Sequence, residues 1–310
     1  MKYKKIIITG VGGFIGSSFT RECLKRGYII TGVDSMTYAS NWNHITEFEQ
    51  NPNFKFIFGD INNIYKIEDC DLIINIAAES HVDRSIDNCK DFIHSNINGV
   101  HNLLELIKGT KIPLIQISTD EIYGDIEEGS HKETDNLNPS NPYAATKSSA
   151  DLLIQSYART YGIKYNIIRL TNNYGKDQHL EKLIPKTINH LKHGKKIPLH
   201  NQGTPLRNWL HVDDSVEAIL TVIEKGKLNE IYNVNGNYEL ENKTVVSEII
   251  KIYKKEDNIE LNDYVDYSCS RPGQDVRYSL DDTKLRELGW YTKVKFVDKL
   301  REIVEFHLDN

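Results

Sequence analysis

The sequence has little cysteine, no long apolar run and no excess of positive charge. Its 310 residues include four cysteines, at positions 23, 70, 89 and 269, which show neither the paired spacing of zinc ligands nor a disulfide framework. We therefore expect reduced thiols, a cytoplasmic location and no metal site. No stretch of about 18 apolar residues occurs, so no membrane-spanning helix is expected. The net charge of −6 argues against general affinity for nucleic acid.

Internal repeats, low-complexity segments and an evident interdomain linker are also missing from the sequence. The first residues, MKYKKIIITGVGGFIG, begin basic and become apolar as a signal peptide does, but the apolar part is short and broken by glycine. We interpret this stretch as a strand followed by a turn. The remaining composition, 39% hydrophobic and 26% charged, is typical of a globular protein with a large core.

Short apolar runs alternate with helical patterns through the first 175 residues. This rhythm predicts an α/β fold with a doubly wound parallel sheet of the Rossmann type. From about residue 176 the pattern becomes irregular, which suggests a smaller carboxyl-terminal substrate-binding lobe over 176–310, with strands returning to the first domain from about 205–235. The predicted strands are 5–9, 29–33, 54–58, 72–76, 114–118, 165–170 and 231–234, and the main predicted helices are 14–26, 91–108 and 143–161.

Three glycines follow the first predicted strand at a spacing of three residues. Gly10, Gly13 and Gly16 surround Phe14 and Ile15 and lead into a helix. Such a turn lets the backbone approach a pyrophosphate, whose charge is met by amide groups and the helix dipole. Asp34 ends the next strand, where a carboxylate can accept hydrogen bonds from ribose hydroxyls and repel a 2′-phosphate. The pattern favours NAD over NADP as the cofactor.

Two further strand ends offer cofactor contacts. Asp60 and Ile61 follow the third strand, and the Asp60 carboxylate could reach the adenine amino group or, equally well, cap a short helix. Ala77 and Ala78 follow the fourth strand, where small side chains leave space for a cofactor. The polar run after them starts with Glu79-Ser80-His81, at the sheet edge where ligands bind in open parallel sheets.

A cluster of reactive side chains lies between residues 118 and 147. Thr119, Asp120 and Glu121 end a strand, and Tyr143 and Lys147 lie four residues apart on a predicted helix, so that both point to one side. We expect the Lys147 ammonium to lower the pKa of Tyr143 toward that of a general base. The alternatives are a surface tyrosine and lysine, and two solvated acids in a turn.

These motifs, taken together, resemble the extended short-chain dehydrogenase/reductase family, and within it the nucleotide-sugar 4,6-dehydratases. The resemblance covers nearly the whole chain, and the adjacent acids distinguish it from related epimerases, which lack the pair. Asn208 departs from the aspartate that is common at this position. The motifs are TGVGGFIG, AAESHVDRSI, STDEIYGD, NPYAATK, NNYG, EKLIP, RNWLHVDD and RPGQDVRYSLD.

The resemblance implies a redox-neutral water elimination. Tyr143 and Thr119 would act on the C4 hydroxyl during its oxidation, Glu121 would remove the C5 proton, Asp120 would protonate the leaving C6 hydroxyl, and Lys147 would also bind the nicotinamide ribose. The implied substrate is dTDP-glucose, with UDP-glucose as the alternative, and the implied pathway is deoxysugar biosynthesis, such as that of rhamnose. The implied substrate contacts are Ser80, His81, Asn173, Lys182, Arg207, Asn242 and Arg271.

Family members pair through two long helices, so the resemblance also implies a homodimer through about 91–108 and 143–161. Two rival functions remain at this point. One is an NAD-dependent sugar-nucleotide C4 epimerase, and the other is a non-catalytic NAD-sensing protein.

Overall fold

The computed structural model describes residues 2–67 and 69–309, and in this part of the chain a seven-stranded parallel sheet forms the centre. Its spatial order is β10-β6-β5-β4-β1-β2-β3, so the chain starts near the middle and winds in both directions. The doubly wound fold predicted from the sequence is confirmed. The strands of the large sheet are β1 (Lys5–Thr9), β2 (Ile29–Asp34), β3 (Phe54–Phe58), β4 (Leu72–Asn75), β5 (Leu114–Thr119), β6 (Tyr165–Leu170) and β10 (Glu230–Val234).

The apolar runs form buried strands because both faces of the sheet are covered. Alternate side chains of β1 enter two different cores: Ile6 and Ile8 pack in one, and Ile7 packs in the other. Full burial of such a side chain stabilises the fold by about 1.5–3 kcal/mol. The helices of the chain are α1 (Phe14–Lys25), α2 (Trp42–Glu49), α3 (Val82–Asp87), α4 (Lys90–Phe92), α5 (Gly99–Ile107), α6 (Pro142–Tyr161), α7 (Leu183–Lys192), α8 (Val212–Lys225), α9 (Asn242–Lys254), α10 (Thr283–Arg286) and α11 (Phe296–Asp309).

Helix α6, which carries Tyr143 and Lys147, has well-defined ends. The Asn141 side chain caps it by accepting a hydrogen bond from the backbone N–H of Ala144 at 2.9 Å, and Pro142 occupies the first turn. Gly162 ends it in the left-handed conformation, with φ of 73°. These signals define where α6 begins and ends.

A smaller lobe follows β6 and has its own apolar core. A three-stranded sheet in the order β11-β9-β7 and a two-stranded sheet of β12 and β8 pack with α7, α9 and α11. The strands of this lobe are β7 (Asn172–Tyr174), β8 (Ile197–Pro198), β9 (Leu206–His211), β11 (Tyr238–Glu241) and β12 (Val265–Asp266). Because β9 pairs with β7 and β11, the chain returns to the large sheet with α8 and β10, later than the predicted residue 205.

The predicted helix over 91–108 is continuous but not uniform. Residues Ile93–Asn98 between α4 and α5 form a π-helix, which places an extra residue in the turn. The buried Asn96 lies in this segment and points inward rather than to solvent. An apolar periodicity cannot reveal such a local change of pitch.

Candidate active site

One cavity of about 920 Å³ lies along the carboxyl ends of the strands of the large sheet and reaches into the smaller lobe. Every residue for which the sequence predicts a role lines it. These residues are Gly10, Gly13, Phe14, Ile15, Gly16, Asp34, Asp60, Ile61, Ala77, Ala78, Ser80, His81, Thr119, Asp120, Glu121, Tyr143, Lys147, Asn173, Lys182, Arg207, Asn242 and Arg271. The fold thus brings the predicted set together, while the role of each member stays a prediction.

The glycine turn at one end of the cavity has no room for a side chain at Gly10 or Gly16. A Cβ on Gly16 would lie 1.9 Å from the carbonyl oxygen of Gly10, and a Cβ on Gly10 would lie 2.7 Å from the backbone nitrogen of Ala77. Gly10 also has a φ of +77°, which favours glycine. Gly13 caps α1 without a side chain, so the amino end of this 12-residue helix is open to a ligand.

Asp34 fixes the neighbouring loop to this turn. Its carboxylate accepts hydrogen bonds from the backbone N–H groups of Gly12 (2.8 Å) and Met36 (2.7 Å) and from the Ser40 hydroxyl (2.9 Å). The side chain is buried at the edge of the cavity. A carboxylate oriented in this way retains acceptor capacity for a ribose hydroxyl.

Asp60 lies at the end of β3 and caps the short 3₁₀ helix Ile61–Asn63. It accepts a hydrogen bond from the backbone N–H of Asn62 at 2.8 Å, and its other oxygen lies 3.0 Å from Nε2 of His94. The capping alternative predicted from the sequence is therefore observed. Because Asp60 also lines the cavity, an adenine contact stays possible in addition to the cap.

Asn96 is a residue that the sequence did not single out. Its amide group bonds the backbone N–H and carbonyl of Glu79, at 2.9 and 3.0 Å, and donates to the Thr146 hydroxyl at 3.0 Å. It therefore ties the loop after β4 to the helix turn that carries Lys147. The sequence carries no signal that singles it out, because Asn96 stands in a polar stretch with His94, Ser95 and Asn98.

Asp120 is a buried acid at the end of β5. It is 3% exposed, its Oδ1 accepts a hydrogen bond from the Thr119 hydroxyl at 3.1 Å, and its Oδ2 has no hydrogen-bond partner among the described residues. Burial, followed by repulsion from Glu121, raises the pKa of Asp120 to about 7. The group is thus able to hold and donate a proton near neutral pH.

Glu121 is in a more polar position than its neighbour. Its backbone N–H donates to the Thr119 hydroxyl at 3.3 Å, and its Oε2 accepts a hydrogen bond from the Asn141 amide at 3.1 Å. Asn141 therefore caps α6 and orients Glu121 at the same time. An Asn-Pro pair is a typical capping signal at the start of a helix. Nothing in the sequence indicated that Asn141 also contacts Glu121.

The pKa of Tyr143 is raised rather than lowered, so the sequence-based expectation was wrong. Burial has the largest effect and the charge of Glu121 adds to it, while a hydrogen bond with Thr119 acts in the opposite direction. The Lys147 ammonium donates to the carbonyl of Ile117 at 2.7 Å, and burial lowers the pKa of Lys147 to about 8. A pattern of Tyr and Lys four residues apart predicts a shared helix face but not the direction of the ammonium.

Two arginines of the smaller lobe face the cavity but already have partners. Arg207 donates to the carbonyls of Leu206 (2.7 Å) and Asp275 (2.9 Å), and it stacks on the Tyr278 ring at 4.2 Å. The guanidinium of Arg271 is held across the cavity by the Asp83 carboxylate, with contacts of 2.5 and 2.9 Å. The sequence did not indicate that Arg271 pairs with Asp83.

The other predicted substrate contacts are also held in place. Lys182 donates to the carbonyl of Ser80 at 2.9 Å, His81 caps α3, and Asn242 is the first residue of α9. Asn173 accepts a hydrogen bond from the Ser215 hydroxyl at 2.5 Å. These contacts present a set of polar groups from both lobes to one space.

A family model described as GDP-mannose 4,6 dehydratase matches residues 7–303. The chain belongs to this family. The family resemblance inferred from the sequence motifs is thereby confirmed, since 4,6-dehydratases were the branch to which the adjacent acids pointed.

Individual members of the dehydratase group are similar over the full chain. The chain is 38% identical to the dTDP-glucose 4,6-dehydratase of Haemophilus influenzae, with 98% of each protein covered. It is also 38% identical to a trifunctional UDP-glucose 4,6-dehydratase, epimerase and reductase of Arabidopsis thaliana, of which it covers 48%. The solved structure of DesIV, a dTDP-glucose 4,6-dehydratase of Streptomyces venezuelae crystallised with NAD, superposes with a TM-score of 0.93 at 37% identity, covering 99% of this chain and 97% of DesIV.

Among residues 2–67 and 69–309, no group of three or more histidine, cysteine, aspartate or glutamate side chains has the arrangement of a metal site. Within the same ranges, every helix is too short or too polar to cross a bilayer. All four cysteines are free thiols.

Proposed function

We propose that the chain is an NAD-dependent hydro-lyase that converts dTDP-glucose to dTDP-4-keto-6-deoxyglucose. The observation that carries this proposal is the pair of adjacent acids, of which Asp120 is buried with a raised pKa and Glu121 is polar and oriented by Asn141. Both line the same cavity as Tyr143 and Lys147. Similarity to dTDP-glucose 4,6-dehydratases over 98% or more of the chain supports it.

The residues at the first end of the cavity fit NAD. The side-chain-free turn at Gly10 and Gly16 and the open amino end of α1 suit a pyrophosphate, and Asp34 suits an adenosine ribose. NAD⁺, when bound, supplies the acceptor for the hydride from C4 of the sugar, and its positively charged nicotinamide ring favours a phenolate nearby.

The chain's own residues then divide the proton transfers. Tyr143 takes the proton of the C4 hydroxyl, and Thr119 hydrogen-bonds the same oxygen as it becomes a ketone. The ketone acidifies the C5 hydrogen, so Glu121 can remove it as a general base. Asp120 donates its proton to the C6 hydroxyl, which leaves as water. The hydride taken from C4 would then return to C6, and Glu121 would return a proton to C5, so that the reaction is redox-neutral overall. The elimination needs an acid that keeps its proton at the pH at which its neighbour is ionised.

The substrate diphosphate belongs at the other end of the cavity. We assign it to Arg207 and Arg271, whose guanidinium groups suit phosphate oxygens, with Lys182 nearby. In this proposal residues 1–175, completed by α8 and β10, form the cofactor domain. The remainder of 176–310 supplies the substrate lobe, and the free thiols suit a cytoplasmic enzyme.

The decisive experiment is turnover of dTDP-glucose and UDP-glucose by the purified protein, with alkaline ultraviolet detection of the 4-keto product. We expect product from both, with a higher kcat/KM for dTDP-glucose. Glu121→Gln is the matched variant: C4 oxidation persists while elimination slows, so bound reduced cofactor accumulates. Absence of product from both sugars refutes the proposal, and interconversion of the C4 epimers without loss of water identifies an epimerase instead.

We also propose that the enzyme is a homodimer that pairs through the helical segment 90–107 and α6. Three apolar side chains on these helices are unusually exposed: Ile93 (45%), Leu152 (56%) and Tyr161 (50%). Light scattering at micromolar concentration should give twice the chain mass of 35.7 kDa. A Leu152→Glu variant should shift it to the monomer, and a monomeric wild-type protein contradicts the pairing.

A further inference from the structure

Helix α6 carries a buried carboxylate, Asp151, that the proposed reaction does not use. It is 0% exposed and lies four residues after Lys147, which is 3% exposed. Residues four apart share one face of a helix, about 5–6 Å apart at Cβ. Burial raises the pKa of Asp151, and the charges of Arg169 and Lys147 lower it. The carboxyl group therefore lies within one helical turn of the lysine, in a part of the protein with little water to screen charges, and these two cations favour its ionised form.

Asp151 is held by a second buried ion. Nε of Arg169, in β6, lies 3.0 Å from Oδ2 of Asp151, and Arg169 is 1% exposed. Nη1 of Arg169 also donates to the Tyr123 hydroxyl at 2.5 Å, and that hydroxyl donates to Asn233 at 3.0 Å. Tyr123 is two residues after Glu121. The contacts thus form a continuous chain from α6 through β6 to the turn that carries both acids.

Such a pair is costly to bury, because both ions lose their hydration. Hydrophobic residues of similar size would often stabilise the fold as well or better. A requirement for charge at this position explains the pair better than stability does. The charged or titratable groups around Lys147 are Tyr143 and Asp151 on its own helix, Asp120 and Glu121 after β5, and Arg169 on β6.

Only one of these groups acts directly to keep Lys147 charged. Burial lowers the pKa of Lys147, and the charge of Asp151 raises it. The ammonium is further fixed by its hydrogen bond to the carbonyl of Ile117.

We propose that Asp151 is a positioning residue that holds Lys147 in its protonated form beside Tyr143, with Arg169 fixing the orientation of the Asp151 carboxylate. The inference deepens the proposed function, on which it rests for the role of Lys147. It adds that the lysine works only as part of a three-charge unit, Lys147–Asp151–Arg169.

The test is an NMR titration of protein labelled at lysine Cε, without substrate. The Lys147 signal is assigned from its loss in Lys147→Arg. Asp151→Asn should lower the apparent pKa of Lys147 by about one pH unit or more. Arg169→Gln should also lower it, because without the guanidinium group burial favours the uncharged form of Asp151. Asp214→Asn is the control and should leave the pKa of Lys147 unchanged. Asp214 is another buried carboxylate, in α8, and it accepts hydrogen bonds from backbone N–H groups.

Turnover supplies a second measurement. The alkaline limb of the kcat profile should move down in pH for Asp151→Asn and back up for Asp151→Glu. A folded Asp151→Asn protein with an unshifted Lys147 overturns the proposal. If that variant does not fold, Arg169→Gln decides alone, and an unchanged or higher pKa of Lys147 there overturns the proposal. Because the titration needs no substrate, it remains valid even if neither sugar nucleotide is turned over.

Discussion

At the scale of single residues, Asp120 and Glu121 show how two adjacent carboxyl groups acquire different roles. At the end of the strand the Asp120 side chain is buried, whereas Glu121 stays partly exposed beside the Asn141 amide. The environment, rather than the residue type, therefore separates a proton donor from a proton acceptor.

Asp120→Asn should separate chemistry from stability. Asparagine cannot donate the proton that the leaving hydroxyl needs, so we expect elimination to slow by about 10²–10⁴-fold while C4 oxidation persists. Single-turnover absorbance of the reduced cofactor measures this. A variant that eliminates water at the wild-type rate would remove Asp120 from the role of acid.

The same substitution should stabilise the fold at high pH. The folded-state pKa of about 7 exceeds the ordinary value of 3.8, so the stability contributed by the protonated group is complete at low pH and is lost as pH rises from about 4 to 7. Above pH 7 the variant should be more stable than wild type by on the order of 2–4 kcal/mol. Urea unfolding at pH 5 and pH 8 tests this, and an equal difference at both values contradicts it.

At the scale of elements, the π-helix between α4 and α5 is a local change of pitch with a specific result. Asn96 lies in this turn and bonds both the loop after β4 and the first turns of α6. One amide thus fixes two elements of the cavity wall relative to each other.

Asn96→Ala should destabilise the protein by about 2–3 kcal/mol, because it leaves the buried N–H and carbonyl of Glu79 without their partner. Asn98→Ala is the matched control, since Asn98 is an exposed residue of the same π-helical segment. Urea unfolding of both variants measures the difference. Equal stability of the two would show that the Asn96 contacts contribute little.

The sequence was most informative where the signal is local. The buried strands, the glycine turn and the start of α6 all depend on neighbouring residues, and each was predicted within a few positions. The pitch change at Asn96 was not, because a π-turn leaves the apolar pattern of a helix nearly intact. The pairing of Arg271 with Asp83 joins residues 188 positions apart and has no local signature.

At the scale of the whole molecule, contacts between the two lobes span the cavity. The Asp83–Arg271 pair is the clearest of these contacts. In it, the Asp83 carboxylate, in α3, binds the guanidinium group that we assign to the substrate diphosphate. The diphosphate and Asp83 therefore compete for one cation.

Asp83→Asn should tighten the binding of thymidine diphosphate roughly 1.4- to five-fold, as expected for removal of a partly exposed ion pair worth about 0.2–1 kcal/mol. Isothermal titration calorimetry of the NAD-loaded protein measures the affinity. Asp87→Asn, one turn further along α3, removes the same charge without a contact to Arg271 and should have a smaller effect. Weaker binding by Asp83→Asn would mean that Asp83 orients Arg271 for the ligand instead.

The position of β10 has a consequence for how this protein can be altered. This strand completes the large sheet beside β6 only after the chain has passed through β7, β8 and β9. A cut near residue 175 would leave β6 as an exposed edge that invites aggregation. The two lobes therefore cannot be exchanged as cassettes between relatives, and a new substrate preference is better obtained by exchanging the loops between these strands than by recombining whole lobes.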